Sequence, residues 1–441
     1  MNNQPNVLLF SVILGAVFIL LDVYVLGHWT VYVRRKGMNP GWHRSMWIIA
    51  FVMLVLYAFA VSRRNFFRLD GLDVILLGIS TFWYLPKLGI APVLLVRDIM
   101  RGFARLFRPR HPERRSEATP RPEQEATPRP EQEATPGPEQ EATPRTEQEA
   151  DPARRKFLAN SAWSLSAVPY VMVGNGMWRT IYDFQTIQVD LNIRKLPRAF
   201  DGMRIAQISD IHAGSFPDHR PFQEVRRILD VLKPDAIVIT GDFVNAKPME
   251  MSVIARELAQ LKAPYGVFAS LGNHDHYNTP QEHAELVKTI RGLGVDLLVN
   301  ENRRIVDGGS SLIIAGTDNS GFKQSFGKID RALFGVMDDE ATILLAHDPT
   351  YWDKEIVGAT NVDVMLAGHT HGGQFGVQLL GFEWSPAQYV YKQWAGLYGA
   401  GEQLLYVNRG IGTVGPPLRI GIPPEVTLFT LRAASVADGL T

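Results

Sequence analysis

Apolar residues crowd the start of this chain. Residues 7–33 read VLLFSVILGAVFILLDVYVLGHWTVYV, longer than the roughly 20 apolar residues that cross a bilayer. Residues 46–61 form a second span, short unless it borrows Trp42 and Phe66, and residues 74–96 a third, interrupted by Pro86 and Lys87. Length separates such runs from buried core helices. Asp22 stands inside the first span, where an ionisable group is costly and often functional; His28 lies near its end, at interface depth. A fourth, milder apolar run, FLANSAWSLSAVPYVMVG, starts at Phe157.

From about Gln185 the pattern changes. RIAQIS (204–209), AIVIT (236–240), GVFASL (266–271), SLIIAG (311–316), TILLA (342–346) and VDVML (362–366) are short β-rich apolar runs. Between them, residues 220–233 carry Phe222, Val225, Ile228, Leu229 and Leu232 at helical spacing, and residues 280–293 predict another helix. Strands alternating with helices predict an α/β domain, and about 250 residues suffice for one large core.

What separates the two regions is neither. Residues 117–148 are four octads, EATPRPEQ, EATPRPEQ, EATPGPEQ and EATPRTEQ. Rich in proline and without a large apolar residue, they predict an extended, solvated spacer. Arg154, Arg155 and Lys156 then precede Phe157 and Leu158. This resembles a twin-arginine export signal, and equally fits a fourth span with its basic flank inside. The expected division is transmembrane helices over 1–100, octad linker over 101–153, twin-arginine-like segment and fourth run over 154–178, and the α/β domain over 185–435.

Charge orients the spans. The loop after the first carries Arg34, Arg35, Lys36 and Arg44 without an acid, and residues 97–115 hold seven Arg against Asp98 and Glu113. Both loops are expected on the cytoplasmic side. The α/β domain then lies outside the cytoplasm, on a multi-pass protein of a bacterial inner membrane. Arg63, Arg64 and Arg68, against Asp70 and Asp73, disagree mildly. Overall, 45 Lys and Arg balance 45 Asp and Glu, which argues against nucleic acid as the main partner. The absence of cysteine removes disulfides, thiolate ligands and a thiol nucleophile, so a metal must be held by His, Asp, Glu or Asn. Oligomeric state is not legible.

Chemistry gathers at the strand ends. RIAQIS runs into Asp210-Ile211-His212, AIVIT into Gly241-Asp242, and GVFASL into Gly272-Asn273-His274-Asp275. TILLA runs into His347-Asp348-Pro349, and VDVML leads to Gly368-His369-Thr370-His371-Gly372-Gly373. Loops at the carboxyl ends of neighbouring strands converge on one crevice. Eight of the eleven histidines lie between His212 and His371. Singly, an Asp-x-His or Gly-Asp after a strand is most often turn chemistry; five such clusters in this order are not.

The order D-x-H, GD, GNHD, H, GHTH resembles the calcineurin-like metallophosphoesterase superfamily, over about residues 200–432. The continuation GHTHGGQ, with RGIGTVGPPLRIGIPPE (409–425), resembles a membrane-associated bacterial branch often preceded by a twin-arginine-like signal. The resemblance implies a four-layer αββα sandwich behind an α-helical transmembrane region, and two divalent metal ions. One would take Asp210, His212, Asp242 and His371; the other Asp242, Asn273, His347 and His369, with Asp242 shared. Two dications side by side need an anionic ligand between them. Mixed imidazole and oxygen donors suit Mn, Fe, Co, Ni or Zn.

The implied activity is hydrolysis of a phosphodiester or pyrophosphate by a hydroxide between the metals. The few residues between the fourth run and the first strand near Thr186 hold the site close to the bilayer and point to a lipid-linked or membrane-proximal substrate. His274, not needed as a ligand, is free to protonate the leaving oxygen, with Asp275 expected to orient it. Asn319 stands where a second acid is expected after Asp318. Arg409 and Arg419 fall in a late loop, where structural roles outweigh phosphate contact. The aromatic residues from Phe382 to Tyr398 predict either a lip over the site or packing on a sheet. A catalytically silent metal-holding module and a nuclease are the competing functions. The complete ligand set weighs against the first, and the neutral charge and membrane tether against the second.

Overall fold

A computed structural model describes residues 4–62, 71–106, 167–379 and 381–433. The octad repeats, residues 154–156 and the first part of the fourth apolar run lie outside the described residues. Three long helices come first: α1 (Gln4–Arg35), α2 (Gly41–Ser62) and α3 (Gly71–Leu106). Within them, Ser11–Arg35, Gly41–Val61 and Ile75–Phe103 are long and apolar enough to cross a membrane. Residues 167–178 form a further helix, α4.

Pro86 and Lys87 do not interrupt α3. Proline removes one helical N–H, a loss transmembrane helices commonly absorb, and the charge of Lys87 is met across the bundle. Its ammonium pairs with the Asp22 carboxylate of α1, both side chains being buried, and lies 3.5 Å from the centroid of the Trp83 ring. Two ionisable residues, each costly alone in an apolar span, occupy the same place and offset each other.

Strands follow in the order β1 (Gln185–Ile193), β2 (Arg204–Ile208), β3 (Ala236–Thr240), β4 (Val267–Ser270), β5 (Asp296–Leu297), β6 (Glu301–Asp307) and β7 (Ser310–Gly316). After the small hairpin β8 (Ser320–Gly321) and β9 (Gln324–Ser325) come β10 (Ala341–Leu345) and β11 (Val364–Ala367). A second hairpin, β12 (Val377–Leu379) and β13 (Phe382–Trp384), precedes β14 (Gly396–Ala400), β15 (Gln403–Val407) and β16 (Glu425–Ala433). They build two six-stranded mixed sheets, β1-β16-β2-β3-β4-β5 and β14-β15-β11-β10-β7-β6.

Near-continuous apolar strands follow from burial on both faces. Along β2, Ile205 joins the core between the sheets, with Ile343 and Leu345 of β10 and Val364 and Leu366 of β11. Ala206 and Ile208 turn the other way, onto Phe222, Val225 and Leu229 of α5 (Arg220–Leu232). On the far face of the second sheet, Leu344 and Met365 pack against Trp352 and Ile356. The result is a layered, calcineurin-like α/β fold, with further helices α6 (Ala255–Leu258) and α7 (Pro280–Gly292) on the first sheet's side. In each sheet four neighbouring strands run parallel, β2-β3-β4-β5 and β7-β10-β11-β15, so that within a sheet their carboxyl ends lie on the same side.

The described residues of Met1–Gly89 and Pro169–Thr441 form one compact unit. Leu85 of α3 and Val173 and Met177 of α4 pack with Leu418 and Ile420 of the domain. A methyl group added at Gly176 would stand 2.7 Å from the Arg419 carbonyl oxygen, so the close approach of α4 to that loop requires glycine.

Candidate metal centre

Backbone pairing continues past the ends of β2 and β3 and carries their loops together. The N–H groups of Asp210 and His212 donate to the carbonyls of Gly241 (3.1 Å) and Asp242 (2.9 Å). Asp210, His212, Asp242, His369 and His371 all adopt left-handed backbone conformations, with φ of +51, +44, +55, +71 and +51°. Such strain concentrates at functional sites and needs surrounding bonds to hold it. Here the Asp210 carboxylate accepts the His369 N–H at 3.0 Å, and Asp242 Oδ1 accepts the His274 N–H at 2.8 Å. Gly272 is obligatory beside them, since a Cβ there would lie 2.2 Å from Asp242 Oδ1.

Six of the seven expected ligands fall into mutually close groups, and the seventh, Asn273, lines one cavity with Asp242, His369 and His371. Asp210, His212 and His371 form one group able to hold a cation, and Asp242, His347 and His369 a second; His212, Asp242 and His274 form a third that overlaps both. His212 Nε2 lies 3.1 Å from His371 Nε2 and 3.5 Å from Asp242 Oδ2. Asp210 Oδ1 is 3.3 Å from His371 Nε2, and Asp242 Oδ2 is 3.0 Å from His347 Nε2. Asp242 thus stands between the groups, within 3.5 Å of His212 on one side and 3.0 Å of His347 on the other.

The hydrogen bonds around these side chains leave the right atoms free. His347 Nδ1–H donates to the Thr240 carbonyl at 2.7 Å, and Asn273 Nδ2–H donates to the Tyr277 hydroxyl at 2.7 Å. Of their other atoms, Asn273 Oδ1 is buried without a hydrogen-bond partner, and His347 Nε2 faces the Asp242 carboxylate at 3.0 Å. An orphaned buried acceptor of this kind is rare, and together with carboxylates and imidazoles it fits divalent cations. His369 Nε2 meets the Tyr391 hydroxyl at 3.0 Å, leaving Nδ1 for the site.

Charge in the site follows from burial. Burial, with the neighbouring His274, lowers His212 to about 3; burial and His347 lower His369 to about 4. Burial also takes His371 well below the ordinary imidazole range. All three are therefore neutral near pH 7, the form that ligates metal. Burial opposes a proton on His347 too, but the Asp242 carboxylate outweighs it and raises His347 to about 10. Burial pushes Asp210 up to about 6, and Asp242 adds to the rise. A cluster in which a histidine must hold a proton against a carboxylate is one that a dication would neutralise.

Asp275 does not orient His274, contrary to the expectation. His274 Nδ1–H donates to the Asn245 carbonyl at 2.8 Å, which leaves Nε2 as its working nitrogen. The Asp275 carboxylate instead accepts the backbone N–H groups of Asp242, Phe243, Val244 and Gly272, at 2.9, 2.9, 3.3 and 2.9 Å. Burial and the Asp242 charge push Asp275 up to about 7. Four donors leave no acceptor for a carboxyl proton, however, so the geometry holds the ionised form. Its role is to bind the β3 and β4 loops to each other.

Arg409 and Arg419 bind the late loop together, and Arg419 also reaches His371 Nδ1 at 3.4 Å. Arg409 pairs with Glu425 at 2.6 Å and Glu383 at 3.1 Å. Arg419 is fully buried and donates to the carbonyls of Gly412, Arg409 and Gly410. Asp318 accepts from His276 Nε2 at 2.6 Å, while Asn319 Nδ2–H donates to Gln324 Oε1 at 2.8 Å. Sequence reasoning missed Asn245, Tyr277 and Thr240, which carry no motif. Tyr391 lies in the aromatic stretch expected either as a lip or as sheet packing, and that stretch places one ring against His369.

With this geometry in view, the comparisons define the class. Residues 203–373 match the family described as calcineurin-like phosphoesterase. Residues 6–181 match the family described as "Probable Calcineurin-like phosphoesterase, transmembrane domain". The chain belongs to the calcineurin-like metallophosphoesterase family. It is 30% identical over 294 residues to the uncharacterized metallophosphoesterase YkuE of Bacillus subtilis, covering 64% of this chain and 99% of that protein. Over 260 residues it is 28% identical to the transmembrane protein with metallophosphoesterase domain of Danio rerio, covering 57% of this chain and 58% of that protein. Phosphodiesterase YaeI of Escherichia coli is 29% identical over 232 residues, 52% of this chain and 82% of its own length. The chain spans little more than half the length of the vertebrate relatives. Relatives from bacteria and animals alike mean that similarity does not single out a bacterial branch.

Proposed function

We propose that the protein is a membrane-anchored, dinuclear metal-dependent phosphoesterase acting on a phosphodiester or pyrophosphate outside the cytoplasm. The observation that carries this reading is the place of Asp242 in two overlapping groups of potential ligands, beside the buried Asn273 Oδ1, which has no hydrogen-bond partner. Asp210, His212, Asp242 and His371 would hold one ion; Asp242, Asn273, His347 and His369 the other. When bound, divalent ions supply an activated water and offset the charge of a phosphoryl group. His274, its Nδ1 proton held by Asn245, presents Nε2 to deliver a proton to the leaving oxygen. Asp275 keeps the two loops, and so Asp242 and His274, in register.

Orientation rests on the helices. Leu14 and Phe18 near the start of α1, Tyr57 near the end of α2 and Leu77 near the start of α3 share one cavity with Asp242 and His274. The basic residues Arg34, Arg35, Lys36 and Arg44 fall at the opposite ends of α1 and α2. A basic loop kept in the cytoplasm puts the metal centre on the far side. Alkaline phosphatase fused after Thr441 is expected to be active, and inactive activity there would reverse the topology. Metal analysis of the purified chain, with a screen of phosphomonoesters, phosphodiesters and pyrophosphates, tests the chemistry. Two equivalents of metal with turnover of one class support it; a protein that binds no divalent ion refutes it.

A further inference from the structure

The cavity at the metal centre does not end there. About 810 Å³ in volume, it is bounded at one end by Asp242, Asn273, His274 and His369, within the range of about 300–1,000 Å³ usual for small-molecule sites. Its other end lies among the helices that read as membrane spans. Leu77, Tyr84 and Leu88 of α3 line it, with Leu14 and Phe18 of α1 opposite. Positions 77, 84 and 88, with Thr81 between, share one face of α3. At 1.5 Å per residue that face extends the cavity by about 16 Å. Phe18 stacks on Tyr84, with ring centroids 3.9 Å apart, and neither Asp22 nor Lys87 is among the lining residues.

We infer that this groove takes the apolar chain of a lipid phosphoester whose phosphate lies at the metal centre, entering from the bilayer. The inference rests on the phosphoesterase reading above and names its substrate class. A soluble phosphoester has no use for aliphatic and aromatic walls, and those walls belong to helices whose surroundings are lipid. A chain leaving the bilayer for such a groove changes one apolar environment for another. The groove therefore selects by reach, placing a membrane-confined phosphate beside the metals at high effective concentration. The mouth agrees. Phe322 and Phe375 line the cavity and are 59% and 41% exposed. Beside Phe375 the β12–β13 hairpin presents Val377, Leu379 and Phe382 outward. Apolar side chains exposed in this number mark a membrane-facing or binding surface.

The test uses the full chain in phosphatidylcholine nanodiscs. With metal bound, hydrolysis of methyl 4-nitrophenyl phosphate is compared with that of the hexadecyl ester. In both, the water oxygen goes to phosphorus, the bond to the aryl oxygen breaks and 4-nitrophenolate leaves. Leu77→Trp and Leu88→Trp fill the groove, and each is expected to lower the hexadecyl-to-methyl ratio of kcat/KM at least tenfold; an unchanged ratio in both overturns the inference. Binding is read separately on metal-loaded wild type, with hexadecyl phosphate carrying a diazirine at the chain end. Label is expected on peptides containing Leu14, Leu77 and Leu88, displaced by hexadecyl phosphate but not by hexadecanol. Label spread over all lipid-facing surfaces and not displaced would mean bilayer contact only, and would overturn the inference. Displaceable label without hydrolysis of either ester would refute the phosphoesterase reading and leave the groove standing. Hydrolysis of the methyl ester without displaceable label would do the reverse.

Discussion

Replacing Asp275 by Asn separates two roles for a carboxylate that adjoins His274 in the chain. Its Oδ2 accepts the N–H groups of Asp242 and Gly272, and its Oδ1 those of Phe243 and Val244. Asparagine keeps one oxygen and turns an NH2 group toward two N–H donors. Two charge-assisted hydrogen bonds are lost, at about 1.5–3 kcal/mol each, so destabilisation of about 3–6 kcal/mol is expected. At roughly 2–4 °C per kcal/mol for a domain of this size, thermal unfolding falls by at least about 6 °C. Because either pair of released donors includes Asp242 itself or the two residues that follow it, metal content should fall with stability. Calorimetry and elemental analysis of the detergent-purified variant measure both. A variant with unchanged unfolding temperature and full metal, slowed only on esters with poor leaving groups, would refute this account and restore an orienting role for Asp275.

Three further outcomes are expected. His274→Ala should keep both metals yet lose turnover by about 10²–10⁴-fold on esters whose leaving group needs a proton; wild-type rates on such an ester would remove His274 from the chemistry. Asp242→Asn should lose more metal than Asn273→Ala by elemental analysis, because Asp242 is the one residue proposed to ligate both ions; equal losses would argue against a shared ligand. Lys87→Met should destabilise the helix bundle by about 3–5 kcal/mol by leaving the Asp22 carboxylate buried alone. Asp22→Asn/Lys87→Met should recover most of that stability in thermal unfolding, and a double variant no better than the single would mean the two residues act independently.

The chemistry of the centre is legible in the sequence because strand ends announce themselves. Apolar runs of five or six residues stop at Asp210, Asp242, Asn273, His347 and His369, and parallel strands have only one place to deliver their carboxyl-terminal loops. The three long helices are equally plain, since length alone distinguishes a span from a core helix. What holds the centre in shape is not local. Asn245 reaches the ring of His274 across 29 positions, Tyr391 reaches His369 across 22, and Thr240 reaches His347 across 107. The pairing of Asp22 with Lys87 spans 65 positions; read singly, each is only a charge in an apolar run. The apolar groove is less legible still. It belongs to no element, and exists because α1, α2 and α3 pack beneath loops that begin more than 150 residues later in the chain. Composition and periodicity report what each segment buries, whereas which buried faces meet is decided only when the whole chain packs.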